Sequence, residues 1–317
     1  MTPSPPKVSI VTPVYNEEGH LAECIESVQR QTYSNWEYTI VDNCSTDSSA
    51  AIAQRYADAD PRITVLRPPE FVSSFLNCNR ALRSISADSK FCKIVLADDW
   101  IFPECVEKMV AVAERHPSVG LVGAYILEGD KVIATGLPYH VTCETGRDAC
   151  RAHLLERRFI FGSQNAVLYR SDLVRAHDPF FDDSDPHADT QVCFALLKES
   201  DFGFVHQVLT YTRVRPGSLY AKALSLQTDL AVTLNLVSVY GDAFLTKTER
   251  TSLIEEHGAV YYAELGKNLL RRRGKAFWNY HASQLRKSPV GYSRLRVLTG
   301  LLRAGVAGVA RRVRRGP

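Results

Sequence analysis

The chain has 317 residues, of which 45% are hydrophobic, enough for one large domain or for one domain with an appendage. Its net charge of +3 hides an asymmetry, because residues 265–317 hold 14 Lys or Arg and no Asp or Glu, against 24 basic and 35 acidic residues before them. With no membrane-spanning apolar run, no secretory signal layout and no CxxC pair among eight cysteines, we expect a cytoplasmic protein without disulfides or a zinc site.

The first half of the chain alternates strand-like and helix-like segments. Runs rich in β-branched residues predict strands at 8–11, 36–41 and 63–66, with amphipathic helices between them. A third helix leads to the apolar run 94–97, and Pro103 predicts the start of another helix. This order predicts a doubly wound α/β sheet that is mainly parallel in its first half.

Beyond Gly120 the alternation weakens. A hairpin and two later strands are predicted at 119–126, 131–134, 164–169 and 204–211. We therefore expect antiparallel strands to join the sheet. From residue 219 onward only helical spacing appears, so the chain is expected to divide into a catalytic domain, 1–218, and a helical region with a basic tail, 219–317.

Two adjacent carboxylates, Asp98 and Asp99, follow the apolar run 94–97. The run is typical of a buried parallel strand that brings paired negative charge to the crevice where open α/β sheets bind ligands. Adjacent carboxylates repel each other unless a cation or water compensates, and oxygen ligands suit Mg²⁺ or Mn²⁺. An isolated Asp-Asp pair is more often a solvated loop that caps a helix, so the neighbouring motifs decide between the two interpretations.

Polar or ring residues follow three strands of the predicted sheet, and parallel strands bring such clusters to one edge. The clusters comprise Pro13, Tyr15, Asn16 and Glu17 after the first strand, Asp42 and Asn43 after the second, and Asp98 and Asp99 after the fourth. Such a crevice suits a nucleotide: Tyr15 offers a ring face to a base, Asp42 or Asn43 a polar group to its edge, and Asp98 a carboxylate to ribose hydroxyls. No glycine-rich phosphate loop is present, so a metal is expected to bind the diphosphate.

Three motifs together, VSIVTPVYNEE, QTYSNWEYTIVDNCSTDSS and LADDW, resemble the nucleotide-binding half of family 2 glycosyltransferases of the GT-A fold, over about residues 7–217. The resemblance implies a Rossmann-like mixed sheet flanked by helices, a UDP or dTDP sugar as donor, and Mn²⁺ or Mg²⁺ as cofactor. It implies a nucleoside pocket at Pro13, Tyr15 and Glu17, base contacts at Asp42 and Asn43, a ribose contact at Asp98, and a metal ligand at Asp99. Ala97 occupies the first position of the family's Asp-x-Asp motif, so Asp98 and Asp99 carry the metal motif.

The stretch DPHADTQVCFALL is similar to the segment in which the family carries its general base, and Asp189 takes that place. Its predecessor, usually Glu in the family, is Ala188. By its sequence context alone Asp189 is a helix N-cap for residues 190–200. With the resemblance we expect both roles, because the positive end of a helix dipole favours an ionised carboxylate.

Three further positions follow from the resemblance. Arg215 stands where the family often has a histidine near the metal, and its guanidinium can pair with diphosphate oxygens but cannot ligate a cation. A surface arginine beside a Pro-Gly turn is an equally good interpretation. Asn79 and Arg80 lie on the third helix, where the family approaches the diphosphate, although a solvated helix face explains Arg80 equally well.

The resemblance implies sugar transfer to a hydroxyl of a glycan or lipid-linked acceptor, in surface polysaccharide or glycolipid synthesis. Inversion is expected because Asp189 is one base candidate without a second carboxylate placed as nucleophile. The departures at Ala97, Ala188 and Arg215 leave open a non-catalytic nucleotide-sugar-binding or scaffold protein with a degenerate site. A nucleotidyltransferase is disfavoured because PVYNEE contains no glycine-rich, lysine-bearing loop.

The basic tail suggests a membrane partner. Residues 294–315 place Leu295, Leu298, Leu302, Val306, Val309 and Val313 on one helical face and carry seven arginines. Such a helix could bind an anionic membrane on its inner face, or its apolar stripe could pack on the acidic body of the protein. Nucleic acid is not expected, because no aromatic residues are interleaved with the arginines.

Overall fold

The computed structural model describes residues 4–215 and 219–301. The chain divides into two compact units, one ending at Val214 and the other beginning at Arg215, four residues before the boundary expected from the sequence.

The first unit is an α/β structure built on one mixed sheet. Its strands are β1 (Val8–Val14), β2 (Trp36–Asp42), β3 (Ile63–Leu66), β4 (Phe91–Ile94), β5 (Trp100–Ile101), β6 (Val119–Glu128), β7 (Lys131–Ile133), β8 (Cys143–Glu144), β9 (Leu168–Arg170) and β10 (Asp201–Thr212). Its helices are α1 (Leu21–Gln29), α2 (Ser49–Ala59), α3 (Ser74–Arg83), α4 (Cys105–Arg115), α5 (Gly146–Leu155), α6 (Ser171–Ala176) and α7 (Ala188–Leu196). The order across the sheet is β3-β2-β1-β4-β9-β6-β10-β5, with β7 beside β6 and β8 beside β10.

The parallel half of the sheet is the one that the alternation predicted. β1 pairs in parallel with both β2 and β4, and β2 pairs in parallel with β3. These strands are apolar in sequence because both faces of the sheet are covered. β1 and β4 are accordingly buried along almost their whole length. The register sets Val14 opposite Asp42, so the loops after β1 and β2 leave the sheet at the same edge.

Antiparallel strands join the sheet as expected, since β9 lies between β4 and β6 and runs antiparallel to both. The hairpin of β6 and β7 is also confirmed. The predicted strand 164–169 is wrong in its first half, where Gln164–Ala166 form a 3₁₀ turn before β9 begins.

The expected strand 94–97 is also shorter than the apolar run. The Val95 N–H still donates to the Val11 carbonyl at 2.9 Å, but the chain then leaves the sheet. Asp98 and Asp99 therefore lie on a loop beyond β4, just before the two-residue strand β5. Val95 and Ala97 of the loop are buried by packing rather than by continued strand pairing, which is why the sequence pattern extended the strand too far.

The described part of the second unit contains helices and no strand. They are α8 (Leu219–Leu226), α9 (Asp229–Phe244), α10 (Lys247–Leu270) and α11 (Lys275–Lys287), followed by helical residues 294–301. Within the described ranges, no helix is long and apolar enough to cross a membrane.

His281 is buried in the core of this unit. It accepts a hydrogen bond from the Tyr261 hydroxyl at its Nδ1 (2.7 Å) and donates from Nε2 to the Leu226 carbonyl (2.8 Å), with the tautomer assigned from these partners. Burial lowers the pKa of His281 to about 4.

The last described helical segment does not bury the predicted apolar stripe. Leu295 and Leu298 are exposed, whereas Val297 is buried. The reason is a close helix contact, because a Cβ at Gly300 would lie 2.1 Å from the Tyr262 carbonyl oxygen. The face that carries this glycine therefore packs inward. The other four stripe residues, from 302 onward, lie outside the described part of the chain.

Candidate functional site

The loops that follow β1 and β2 are tied together by hydrogen bonds. Asn16, in the left-handed region at φ 54°, accepts from the Thr46 N–H at 2.8 Å through its side chain, and its own N–H donates to Ser45 Oγ at 3.0 Å. The Glu17 N–H donates to Ser49 Oγ at 2.8 Å. The loop that carries the first polar cluster is thus tied to the segment that directly follows the second.

Asp42 ends β2 with a buried carboxylate. Its Oδ1 accepts from the Ser45 N–H at 3.1 Å. Its Oδ2 is 3.3 Å from Arg67 Nε, an ion pair without hydrogen-bond geometry, and receives no hydrogen bond from the described residues. A buried carboxylate oxygen with unused accepting capacity suits an N–H of a ligand. Arg67 was missed by sequence reasoning, although it directly follows a strand at the same sheet edge.

Asn43 positions an aromatic pair. Its amide donates to the Val72 carbonyl (2.8 Å) and accepts from the Val72 N–H (3.0 Å), which fixes the loop that carries Phe71. The Phe71 ring lies against Tyr15, with centroids 4.7 Å apart, and the two residues remain 59% and 43% exposed. The expected contact of Asn43 with a base stays a prediction, because both ends of its amide already bind backbone. Phe71 carries no motif and was missed.

Asp99 is almost wholly buried, and two protein donors hold its carboxylate. Asn165 Nδ2 donates to Oδ2 at 3.0 Å, and the Arg213 N–H donates to Oδ1 at 2.8 Å. Burial, together with the charge of the adjacent, partly buried Asp98, raises the pKa of Asp99 to about 7. The Arg213 side chain adds a hydrogen bond from Nε to the Asp98 carbonyl at 3.0 Å. Asn165 and Arg213 were both missed by sequence reasoning.

Asp189 is the second residue of α7, and the N-cap of this helix is His187, so the predicted N-cap role of Asp189 is wrong. Its Oδ1 accepts from the Thr190 N–H at 2.8 Å. Burial raises the pKa of Asp189, so desolvation outweighs the helix N-terminus that was expected to keep the carboxylate ionised.

Asp189 acts electrostatically on the buried Cys78 of α3. Burial, and secondarily the charge of Asp189, raise the pKa of the Cys78 thiol.

The side chains of Asn79 and Arg80 form hydrogen bonds with backbone groups. The Asn79 amide donates to the Phe181 carbonyl (2.9 Å) and accepts from the Phe181 N–H (2.8 Å), fixing the segment that leads to α7. Arg80 donates to the Glu70 carbonyl at 2.7 Å. Their expected approach to a diphosphate stays a prediction, as does that of Arg215, the first residue of the second unit.

Asp98 and Asp99 are the residues of this edge that suit a divalent cation. The described residues contain no group of three or more His, Cys, Asp or Glu placed to hold a metal. Mg²⁺ in nucleotide sites is commonly held by one or two carboxylates, the substrate phosphates and water, so two carboxylates fit this kind of binding. Burial is the main cause of the raised pKa of Asp99, and the second cause, the negative charge of Asp98, is one that a cation would offset.

Comparison with known proteins gives a family match and similar folds. A family model described as "Glycosyl transferase family 2" matches residues 9–177. A relative in Bacillus subtilis, "Putative glycosyltransferase EpsE", is 36% identical over 129 residues, which are 40% of this chain and 46% of that protein. The Staphylococcus aureus "Poly(ribitol-phosphate) beta-N-acetylglucosaminyltransferase TarS" is 26% identical over 189 residues, 59% of this chain and 31% of that protein. The chain thus spans less than half the length of either relative.

Solved structures resemble the fold over most of the chain. The crystal structure of S. aureus TarS 1–349 in complex with UDP-GlcNAc has a TM-score of 0.65 at 18% identity, covering 94% of this chain and 88% of that one. The mannosyltransferase PcManGT from Pyrobaculum calidifontis, in complex with GDP-Man and Mn²⁺, has a TM-score of 0.53 at 14% identity, with coverages of 94% and 87%. The expected mixed sheet of the GT-A type, flanked by helices and followed by a helical C-terminal region, is confirmed.

Proposed function

The chain belongs to glycosyl transferase family 2, and on that premise we propose that it transfers a sugar from a UDP or dTDP sugar to an acceptor hydroxyl. The acceptor is a glycan or a lipid-linked sugar, in the synthesis of a surface polysaccharide or glycolipid. The role of TarS, a poly(ribitol-phosphate) N-acetylglucosaminyltransferase by name, supports this class of acceptor.

The strongest support is the sheet edge at which three parallel strands end. There Asp42 has a buried oxygen without a hydrogen bond from the described residues, and Tyr15 has an exposed ring. A uracil or thymine has an imino N–H for Asp42 and a flat face for Tyr15. Pro13 and Glu17 complete the proposed nucleoside pocket, with Asp98 at the ribose.

A divalent cation, Mn²⁺ or Mg²⁺, is part of the proposal. Asp98 and Asp99 would hold it, and when bound it would offset charge on the departing diphosphate. The carboxylate orientation is supplied by the chain itself, since Asn165 and Arg213 hold both oxygens of Asp99.

Asp189 is the proposed general base. An aspartate with a raised pKa is a stronger base than an exposed one, which suits proton transfer from a hydroxyl near neutral pH. As the acceptor oxygen bonds to the anomeric carbon, its proton passes to the Asp189 carboxylate. The bond from that carbon to the diphosphate oxygen breaks on the opposite side, so the configuration inverts.

The function is tested by incubating the protein with UDP and dTDP sugars, Mn²⁺ and lipid-linked acceptors, and measuring nucleoside diphosphate released and product anomer. D99N is expected to weaken UDP binding and abolish transfer. Binding of the nucleotide sugar without release by the wild-type protein, with every acceptor, would favour the non-catalytic alternative instead.

An anionic membrane surface is proposed as a further partner. Leu295 and Leu298 are exposed beside Arg294 in a stretch, from residue 265 on, that contains no acidic residue. Exposed leucines next to arginines suit insertion between anionic headgroups. This would bring the enzyme to lipid-linked acceptors.

A further inference from the structure

Lys93 is a lysine in the middle of the sheet. It lies on β4, paired with Ile10 of β1 on one side and Leu168 of β9 on the other, and it is fully buried. Burial lowers its pKa. Removing an ammonium group from water is energetically unfavourable, and the neighbouring positions of such a strand are usually apolar. The proposed reaction does not use this side chain directly.

The ammonium group holds one particular carbonyl. Lys93 Nζ donates to the Asn165 backbone oxygen at 2.8 Å, its one hydrogen bond within the described residues. Asn165 is itself fully buried, in the 3₁₀ turn Gln164–Ala166. A turn of three residues has little internal hydrogen bonding, so its orientation depends on such external contacts.

The same asparagine holds Asp99. While its carbonyl accepts from Lys93, its side-chain Nδ2 donates to Asp99 Oδ2 at 3.0 Å. With Arg213 on the other oxygen, two donors from separate parts of the chain fix the plane of the Asp99 carboxylate. A shift of the turn would rotate the asparagine amide and release one of these two contacts.

We infer that Lys93 is a positioning residue: by anchoring the Asn165 carbonyl, it holds the Asn165 amide against Asp99 and so orients the carboxylate proposed to hold the cation of the nucleotide diphosphate. The inference rests on the proposed function, because it assumes that Asp99 serves nucleotide diphosphate binding. Groups that orient ligand-binding side chains are typically worth about 10-fold to 100-fold in affinity or activity.

The test compares K93M with the wild-type protein. Methionine keeps an unbranched side chain of similar volume and removes the cost of burying an ammonium group, which offsets the hydrogen bond that the Asn165 carbonyl loses. We expect K93M to keep its melting temperature or raise it, while the Kd for UDP with Mn²⁺, measured by calorimetry, rises about 10-fold. A residue that serves only the core would change stability and leave UDP affinity unchanged.

Two further variants test whether Lys93 acts on UDP binding through Asn165. N165A is expected to weaken UDP binding by a similar factor, and the double variant K93M/N165A no more than N165A alone, because Lys93 acts through Asn165. K90M is the matched control, since Lys90 lies just before β4 but forms an exposed ion pair with Glu114.

Each outcome has one meaning. Unchanged UDP affinity in K93M, failure of K93M to fold, or additive losses in the double variant would each overturn the inference. Absence of UDP binding by the wild-type protein would instead overturn the proposed function.

Discussion

The proposed base contact of Asp42 can be tested by D42N. The asparagine keeps an oxygen for the Ser45 N–H, so the loop after β2 should keep its geometry. At the other position an NH₂ group replaces Oδ2, the buried oxygen with no hydrogen bond from the described residues. The imino N–H of a uracil would then face a donor instead of an acceptor.

The expected loss follows from hydrogen-bond energies. A hydrogen bond to a charged group contributes about 1.5–3 kcal/mol, so the Kd for UDP should rise about 10-fold to 150-fold. The lost ion pair with Arg67 adds little, because that arginine is largely exposed and such pairs contribute about 0–1 kcal/mol.

Calorimetric titration of UDP in the presence of Mn²⁺ measures the effect, and the melting temperature checks the fold. R67M is the control for the ion pair and should change the Kd less than about fivefold. If D42N binds UDP as tightly as the wild-type protein, Asp42 does not contact the base. The same conclusion follows if R67M alone reproduces the whole loss of UDP affinity.

Four further outcomes are expected. D189N should abolish transfer but keep UDP binding, and substantial residual transfer would contradict the base role. In the wild-type protein, kcat/KM should fall as the pH is lowered through a pKa above the ordinary 3.8 of aspartate, because the base is then protonated. Because folding lowers the pKa of His281 from 6.5 to about 4, its contribution to the free energy of unfolding is fully present above pH 6.5 and is lost as the pH falls. In urea titrations the free energy of unfolding should therefore fall by about 3 kcal/mol toward pH 4, and an H281F variant with the same pH dependence would refute this. T246A removes the capping box of α10 and should cost about 1 kcal/mol of unfolding free energy, whereas an unchanged urea midpoint would show the cap to be dispensable. L295E/L298E should lower sedimentation with anionic liposomes more than tenfold, since each buried leucine contributes about 1.5–3 kcal/mol; equal sedimentation would exclude this surface.

The sheet edge that carries the candidate site was predictable because its motifs follow strands. In a parallel sheet, the ends of β1, β2 and β4 must share an edge, so local sequence placed Tyr15, Asp42 and Asp98 at that edge before any contact was known. The positions of α7 and its Asp189 were less predictable, because helix ends depend on caps and neighbours. There the pattern gave the helix but put its start at the wrong residue.

The partners of the site residues could not be read from the sequence. Asn165 and Arg213 are 66 and 114 positions from Asp99, and sequence reasoning assigned a role to neither. Pairing across such separations is set by how β9 and β10 enter the sheet, which local patterns do not encode.

The sequence by itself determined the class of fold, the family and the order of the polar clusters along one sheet edge, because strand and helix periodicities and strand-end motifs are local properties. Only the tertiary structure decided which oxygens of Asp42 and Asp99 have partners, that burial raises the pKa of Asp99 and Asp189, and which face of the last described helix is exposed. Desolvation and long-range contacts arise from packing around a group, and that packing exists only once the chain is folded.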